Sequence, residues 1–241
     1  MGSGLGVGQR LICSCLPSNN RAGCPWPGAL LWSLNVPTIA IPFTTLERLV
    51  AVHAAGRFRE SPKALLTGVL VKAHAKGITF AATCGKLVVE ESWPVVGEVK
   101  TFDPVILKLD SVNALSVWIM AFKQQLKSFQ QQVVTLLIER GNVTVGCVNS
   151  LMDDQVLPCN TDGVYPPYLH AFTQPPTTVG RMCFSGRALS RLNKLWAGEG
   201  VDALVFGFSE YGAVIQPLHI EYGALEQRAL IMRITLPDAV K

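Results

Sequence analysis

The sequence predicts an α+β fold in which a βαβββ unit is repeated, with antiparallel sheet on one side and helices together on the other. Three pairs of apolar strands, each hinged on a glycine turn, support this prediction, and they cover residues 65–83, 133–148 and 203–219. The turn glycines recur at intervals of 64 and 71 residues and are Gly77, Gly141 and Gly212. A helix with a basic residue on its surface precedes each strand pair, so the same unit is predicted more than once.

The first predicted helix begins at Thr44, because Thr44 and Glu47 have the three-residue spacing of a capping box. Gly56 is expected to end the helix. Residues at helical spacing form its apolar face, and they are Leu46, Leu49, Val50 and His53. Arg48 is predicted to point away from that face.

The second predicted helix is capped by Asp110 or Ser111 and carries Lys123 and Lys127 one turn apart. Its apolar side is formed by residues at helical spacing, which are Leu115, Trp118, Ile119, Phe122 and Leu126. These positions give the helix one side for the core and one side for solvent.

The third predicted helix starts at Ser185, in the segment SGRALSRLNKLW, and separates charge from apolar residues most clearly. Its basic face contains Arg187, Arg191 and Lys194. The opposite face contains Leu189, Leu192 and Trp196. One face is therefore predicted to contact solvent or an anionic partner, and the other to enter the core.

A basic face on a single helix is ordinarily a solvated surface, but three such helices in register predict one merged positive surface. This surface would contact DNA phosphates without reading bases. The predicted DNA-binding residues are Arg48, Lys123, Lys127, Arg187, Arg191 and Lys194. The net charge of +4 is compatible with a nucleic-acid partner but does not require one.

The 241 residues are 49% hydrophobic and 16% charged, which allows a substantial core and one or two domains. No apolar run reaches the roughly 18 residues that a membrane-spanning helix needs. Seven cysteines without a disulfide-framework spacing favour a reducing compartment, so a soluble, cytoplasmic protein without a membrane partner is predicted.

Residues 1–36 are rich in Gly, Pro, Ser and Asn without periodicity, and they are predicted to form a flexible N-terminal extension. They lack the apolar stretch of a secretory signal. Cys13, Cys15 and Cys24 raise the alternative of a metal site, but no second cysteine pair or nearby histidine accompanies them. No metal and no cofactor are therefore predicted.

Three segments of the chain carry motifs that together resemble one known family. Residues 65–94 have the sequence LLTGVLVKAHAKGITFAATCGKLVVEESWP, which resembles a hairpin in the middle domain of the bacterial DNA polymerase III β sliding clamp family, where the hairpin leads into an ATDGHRLA-like segment. Residues 162–172, DGVYPPYLHAF, are similar to the DGRFPDYRRVLP-type segment that closes that domain. Residues 217–237, PLHIEYGALEQRALIMRITLP, are similar to the C-terminal strand with its VMPMRL-like end. The segments occur in the family's order, so the resemblance covers residues 36–236.

The resemblance implies a DNA-clamp fold, with a clamp domain of two βαβββ units at residues 37–175 and a further half-domain at residues 176–241. It implies a homo-oligomeric ring that encircles duplex DNA independently of sequence, with the helices lining the pore. Such a ring is a processivity factor of DNA replication. It is a non-catalytic accessory subunit that tethers the replicative polymerase.

The family also binds short linear peptides of the polymerase and the clamp loader in a hydrophobic pocket. In the family this pocket is formed by the three segments that match here, so the resemblance implies a pocket at the same segments of this chain. The implied pocket residues are Thr83, Gly85, Lys86, Leu87, Pro166, His170, Ala171, Leu230, Met232 and Ile234. Apolar anchors from separate segments suit a groove that buries a Leu or Phe of an extended peptide. The alternative is that these residues are ordinary strand and linker core.

Several positions depart from the family pattern. Cys84 replaces the usual Asp, one residue is missing near Lys86, and Arg233 replaces the proline of the VMPMRL-like end. The chain also shows three units where a bacterial clamp has six, so a ring of twelve units would need four chains. An alternative is a non-encircling, clamp-derived protein that binds or competes for clamp-interaction peptides.

A catalytic role is the third alternative. The four histidines, His53, His74, His170 and His219, form no HExxH motif and no pairing with a nearby cysteine. No GxSxG elbow is present, and the glycines of residues 2–8 lack the GK[ST] of a phosphate loop. No catalytic residue is predicted.

Overall fold

The computed structural model describes residues 37–57, 64–99, 101–125, 132–139, 141–147, 152–161, 165–173, 182–196, 204–209, 212–217 and 223–234. The predicted N-terminal extension, with its three cysteines, lies outside the described residues. Leu126, Lys127 and His219 also lie outside them.

The first five elements follow the βαβββ order and are β1 (Thr38–Pro42), α1 (Phe43–Gly56), β2 (Val69–His74), β3 (Gly77–Thr83) and β4 (Leu87–Trp93), with a 3-10 turn at Ala64–Thr67. The order repeats in β5 (Val105–Leu107), α2 (Leu109–Gln125), β6 (Val133–Glu139), β7 (Asn142–Gly146) and β8 (Gln155–Asn160). The short helix α3 (Leu169–Phe172) precedes a third run, formed by α4 (Gly186–Trp196), β9 (Leu204–Phe208), β10 (Gly212–Pro217) and β11 (Glu226–Met232). We call the three runs unit 1, unit 2 and unit 3. Unit 3 has no first strand among its described residues.

The eleven strands form one antiparallel sheet in the order β1-β6-β7-β8-β5-β2-β3-β4-β11-β10-β9. Units 1 and 2 exchange their first strands, because β1 pairs with β6 of unit 2 and β5 pairs with β2 of unit 1. Unit 3 joins them through the pairing of β11 with β4. The predicted α+β fold with repeated βαβββ units and antiparallel sheet is confirmed.

The sheet has a helix face and an outer face, because side chains alternate along each strand. On β3, Phe80 belongs to the main core that α1, α2 and α4 also enter, which defines the helix face. The next residue, Ala81, packs with Leu70 and Ile106 on the opposite side, which defines the outer face. Helix α1 contacts β3, β4 and both α2 and α4, so it is the central helix of the layer.

The predicted capping box of α1 is wrong. The helix begins at Phe43, directly after strand β1, and Pro42 at its N-cap position makes no side-chain hydrogen bond. The backbone N–H of Phe43 instead donates to the carbonyl of Gln132 at 2.9 Å, so a tertiary contact satisfies one of the free N–H groups of the first turn. The predicted apolar stripe is confirmed for Leu46 and Leu49, which are buried.

The helical periodicity of the other two helices is confirmed. Leu115 and Phe122 of α2 are fully buried, as are Leu192 and Trp196 of α4. Leu189 of α4, predicted on the same apolar face, remains half-exposed.

Candidate functional site

A row of four side chains crosses the outer face where unit 1 meets unit 3. Thr83 lies opposite Val88, Val88 opposite Leu230, and Leu230 opposite Val214, on four successive strands. Val88 and Leu230 are buried and pack against each other. The row therefore provides an apolar floor that spans the junction of β4 and β11.

The segment that contains α3 covers one side of this row. Tyr168 and Phe172 pack on Val88 and Leu230, and their rings meet edge to face with 5.9 Å between centroids. Tyr165 packs further along the outer face, and its hydroxyl donates to the carbonyl of Ala81 at 3.1 Å. Residues 165–173 are thereby held on the sheet by aromatic rings.

The other side of the row is open. Met232 and Ile234 follow Leu230 at alternate positions and are 41% and 44% exposed. The backbone N–H of Met232 donates to the carbonyl of Lys86 at 2.9 Å, which keeps the end of β11 beside the turn between β3 and β4. We call the surface formed by Val88, Phe172, Val214, Leu230 and Met232 the apolar strip.

The turn at the end of the strip has a defined conformation. Gly85 has a φ of 83°, a left-handed conformation that glycine adopts without strain. Its N–H donates to the Thr83 hydroxyl at 3.0 Å, and that hydroxyl donates to the Leu87 carbonyl at 2.9 Å. Thr83 therefore stabilises the turn and also ends the row.

A charged network borders the strip. The Arg228 guanidinium donates to Glu90 through Nε at 2.8 Å and Nη2 at 2.5 Å, and it lies 4.3 Å from the centroid of the Phe172 ring. The Tyr168 hydroxyl donates to the other oxygen of Glu90 at 2.5 Å. Burial, together with the Glu90 carboxylate, raises the pKa of Tyr168, so the hydroxyl stays a neutral donor. We call Glu90, Arg228 and Tyr168 the Glu90 network.

A cavity of ≈ 860 Å³ continues from this network along the outer face. Its lining includes Leu70, His74, Tyr165, Pro166 and the Glu90 network. The Nε2 atom of His74 is buried and has no hydrogen-bond partner. Burial, with the charges of Lys72 and Lys76, lowers the pKa of His74, which favours the neutral imidazole.

The structure brings together several of the predicted pocket residues. Thr83 and Leu230 belong to the row, Gly85 forms the turn, and Met232 is the open end of the strip. Lys86 and Ile234 are exposed beside it, and Pro166 lies in the lining of the cavity instead. The side chains of His170 and Ala171 lie outside the described residues.

Leu87 was predicted wrongly as a pocket residue. It is 1% exposed and belongs to the core on the helix face, because the alternation along β4 turns Val88, not Leu87, to the outer face. Val88, Tyr168, Phe172 and Val214 were missed. The alternation of side chains along β4 could have identified Val88, because Val88 must face the outer side if Leu87 faces the helices.

The prediction that α1 presents Arg48 on its surface is wrong as well. Arg48 is buried and forms an ion pair with the fully buried Glu91, with 2.5 Å between Nη2 and Oε1. The indole N–H groups of Trp93 and Trp196 also donate to Glu91, each at 3.1 Å, and Gln227 donates at 3.4 Å. We call these five residues the Glu91 cluster. The cluster contains residues of α1, β4, α4 and β11, and its hydrogen bonds therefore connect unit 3 to unit 1.

The other predicted DNA-binding residues lie on the helix layer. Arg187 and Lys194 of α4 are exposed, whereas Arg191 is half-buried and donates to the Arg57 carbonyl at 2.5 Å. Lys123 of α2 forms an ion pair with Glu47 of α1. Lys127 lies outside the described residues.

The solvent-facing side of α2 exposes two apolar side chains. Val117 and Met120 are 61% and 57% exposed. Because Arg48 turns inward and α2 exposes these two residues, the merged positive surface of three helices is not formed by the described residues. The exposed positive charge of the helix layer is concentrated on α4.

No helix among the described residues is long and apolar enough to cross a membrane. No group of three or more His, Cys, Asp or Glu side chains among them is placed to hold a metal ion.

The fold and its outer face define a class of structure, the DNA-clamp fold. The structure is similar to a DNA polymerase sliding clamp from Pseudomonas aeruginosa, with a TM-score of 0.61 and 11% identity over 83% of this chain and 67% of that chain. It is similar to a DNA polymerase III β chain from Streptococcus pneumoniae, with a TM-score of 0.59 and 10% identity over 91% and 67%.

A sliding clamp from Bartonella birtlesii bound to griselimycin also matches, with a TM-score of 0.59 and 12% identity over 83% of this chain and 66% of that chain. The matched region therefore spans roughly two thirds of each clamp chain. No protein-family model and no curated protein matches the sequence. The resemblance to the β sliding clamps is confirmed at the level of the fold.

Proposed function

We propose that the protein is a DNA sliding-clamp-like processivity factor, which encircles duplex DNA and tethers a replicative polymerase through a short peptide. The observation that carries the proposal is the apolar strip on the outer face of a clamp fold, open at Met232 and Ile234. Its partners would be duplex DNA, peptides of the polymerase and clamp loader, and further copies of the chain. The protein would act without catalysis.

The strip suits an extended peptide with an apolar anchor. Val88 and Leu230 form a floor without polar side chains, and Met232 is placed to cover a side chain that enters from the open end. Full burial of one Leu or Phe side chain contributes about 1.5–3 kcal/mol. The exposed Lys86 and Arg233 at the rim supply polar groups that orient the peptide.

The peptide part of the proposal is tested with the substitution Met232→Asp and a short labelled peptide that carries Leu and Phe anchors. We expect loss of binding, measured by fluorescence anisotropy, because a carboxylate at the open end would be desolvated by an apolar anchor. Val156→Asp is the matched control, since Val156 is a similarly exposed strand residue of unit 2. Equal affinities of Met232→Asp and the unmodified protein would refute the peptide site.

The DNA part rests on α4, where Arg187 and Lys194 are exposed near Arg191. Contacts of this kind to phosphate are sequence-independent and weaken as salt rises, which permits sliding. An encircling protein should stay on circular DNA and leave the same DNA after it is cut. Glu substitutions at these three positions should lower DNA affinity, whereas Lys72→Glu on the outer face should not.

Two observations favour a second candidate, a non-encircling clamp-derived protein that binds or competes for clamp-interaction peptides. Unit 3 is incomplete in the described residues, and α2 exposes Val117 and Met120 where a DNA-facing helix would carry cations. Peptide binding without retention on circular DNA would support this candidate. Retention that is lost on linearisation would exclude it.

A further inference from the structure

Strand β9 ends the sheet, and its outer edge accepts no strand among the described residues. The equivalent strands of units 1 and 2 are not edges, because β2 pairs with β5 and β6 pairs with β1. The equivalence follows from the hairpins: His74 lies opposite Gly77, Glu139 lies opposite Asn142, and Ser209 exchanges backbone hydrogen bonds with Gly212. In the part of the chain that the structure describes, unit 3 therefore lacks the strand that completes each of the other two units.

The helix-facing side of β9 is only partly covered, although Leu204 and Phe208 pack against the main core. Phe206 occupies the position of Val71 in β2 and Leu136 in β6. Phe206 is 39% exposed, whereas Val71 and Leu136 are 1% and 2% exposed. Phe208 and Leu204 on the same side of β9 also remain half-exposed. An apolar side of this kind, left open in one unit of three, marks an interaction surface.

The first strands of units 1 and 2 use one common register. Ile41, two residues before α1, lies opposite Val134, and Leu107, two residues before α2, lies opposite Val69. The residue before each of them also pairs, so that Ile106 lies opposite Leu70. A strand that pairs with β9 in the same way should therefore use the same register as β1 on β6 and β5 on β2.

Unit 3 contains a segment that can act as such a strand for another copy. Cys183 and Phe184 precede α4 as Ile106 and Leu107 precede α2. The Cys183 carbonyl accepts a hydrogen bond from the N–H of Ile234, just beyond β11, which matches the pairing of β5 with the end of β8. The segment thus already lies beside the last strand of its own unit, as β5 does.

We propose that two copies of the chain join their third units into one shared domain, in which residues 182–184 of each copy pair with β9 of the other. The arrangement repeats the strand exchange of units 1 and 2 across a two-fold axis. It places Phe184 opposite Leu204 of the second copy and Cys183 opposite Val205 of the second copy. Each copy then covers Phe206 of the other.

A second copy of the chain is the favoured partner of β9, because unit 3 contains both parts that the exchange needs. These parts are the open edge of β9 and the extended segment before α4. The same exchange already joins units 1 and 2, where each unit supplies its first strand to the other. The inference does not depend on DNA or peptide binding, so the two proposals fail separately.

A disulfide tests the register. Residues directly opposite on antiparallel strands have Cα distances that a disulfide tolerates. Val205→Cys should therefore form a disulfide-linked dimer under mild oxidation, seen as a band at twice the 26.1 kDa chain mass on a non-reducing gel. The double variant Val205→Cys with Cys183→Ser should lose this band. A linked dimer that persists without Cys183, or no linked dimer in the single variant, would overturn the register.

Light scattering tests the interface without oxidation. The unmodified chain should have an even number of copies, and Phe206→Asp should halve the mass, because a carboxylate would be buried on the helix side of β9. Met120→Asp, an exposed apolar residue of α2, is the matched control and should leave the mass unchanged. A monomeric unmodified chain, or a Phe206→Asp variant of unchanged mass, would overturn the proposal.

Discussion

Glu90 and Glu91 are consecutive residues of β4 on opposite faces of the sheet, and each forms an ion pair with an arginine. Glu91, on the helix face, is fully buried with Arg48 and two tryptophan donors. Glu90, on the outer face, pairs with Arg228, whose side chain is 20% exposed. The Glu–Arg ion pair on the helix face therefore belongs to the Glu91 cluster, which connects units 1 and 3 inside the protein. The Glu–Arg ion pair on the outer face borders the apolar strip.

The difference lies in what the neighbouring elements bring. α4 and β11 close over Glu91, so its carboxylate has no access to water and all of its donors come from protein. Over Glu90 lies the segment with α3, which leaves a cavity beside the pair. The Glu91 pair is thus enclosed within the protein, whereas the Glu90 pair borders a cavity on the outer face.

The largest effect is expected for Glu91→Gln. It leaves the Arg48 guanidinium buried without its carboxylate, which costs about 3–5 kcal/mol. Urea denaturation should show this loss as a lower free energy of unfolding. The double variant Arg48→Met with Glu91→Gln should recover part of it, and a double variant as unstable as Glu91→Gln would show that the charge pairing is not the cause.

A smaller effect is expected for Glu90→Gln on the outer face. Hydrogen bonds to a charged group contribute about 1.5–3 kcal/mol each at most, and partial exposure of Arg228 reduces the loss. Tyr168→Phe, which removes one hydrogen bond to the Glu90 carboxylate, should cost no more than about 1.5–3 kcal/mol. If Glu90→Gln destabilised the protein as much as Glu91→Gln, the two faces would not differ as described.

His53 should make stability depend on pH. Burial lowers the pKa of His53 from its usual value, and its Nε2–H donates to the Thr67 carbonyl at 2.7 Å. The neutral ring therefore stabilises the fold fully above the unfolded pKa of about 6.5, and this stability is lost as pH falls through the lower folded pKa. Melting temperatures between pH 7.5 and 5, roughly the range around that pKa, should fall less for His53→Gln than for the unmodified protein.

The smallest effect is expected for the ion pair between Lys123 and Glu47, which is partly exposed. Exposed pairs contribute about 0–1 kcal/mol and are screened by salt. Lys123→Ala should therefore change the free energy of unfolding by less than about 1 kcal/mol, and less still in 1 M salt. A loss comparable to that of Glu90→Gln would place this pair among the buried ones.

Much of the fold was predictable because its signals are local. The hairpins around Gly77, Gly141 and Gly212 follow from apolar runs interrupted by a turn, and α2 and α4 follow from helical periodicity. The orientation of Arg48 was not predictable, because the apolar stripe of α1 does not reveal that Glu91 lies beneath the helix. The capping box failed for a similar reason, since a contact to Gln132 replaces the cap.

The candidate site was predictable in its segments but only partly in its residues. The three motifs that resemble the clamp family do meet at the junction of β4 and β11. Which side chain of each motif faces the site depends on strand alternation, and one residue separates Val88 from Leu87. Tyr168 and Phe172 were missed because their role depends on how residues 165–173 lie across the sheet.

The sequence by itself determined the repeated unit, since hydrophobic periodicity and turn residues act over a few neighbours. The burial of Arg48 and the exposure of β9 were decided only by the tertiary structure. Glu91 draws Arg48 inward because a buried carboxylate needs a charged partner, and β9 is left open because no strand completes unit 3 among the described residues. Both outcomes depend on contacts between residues far apart in the chain, which no local pattern records.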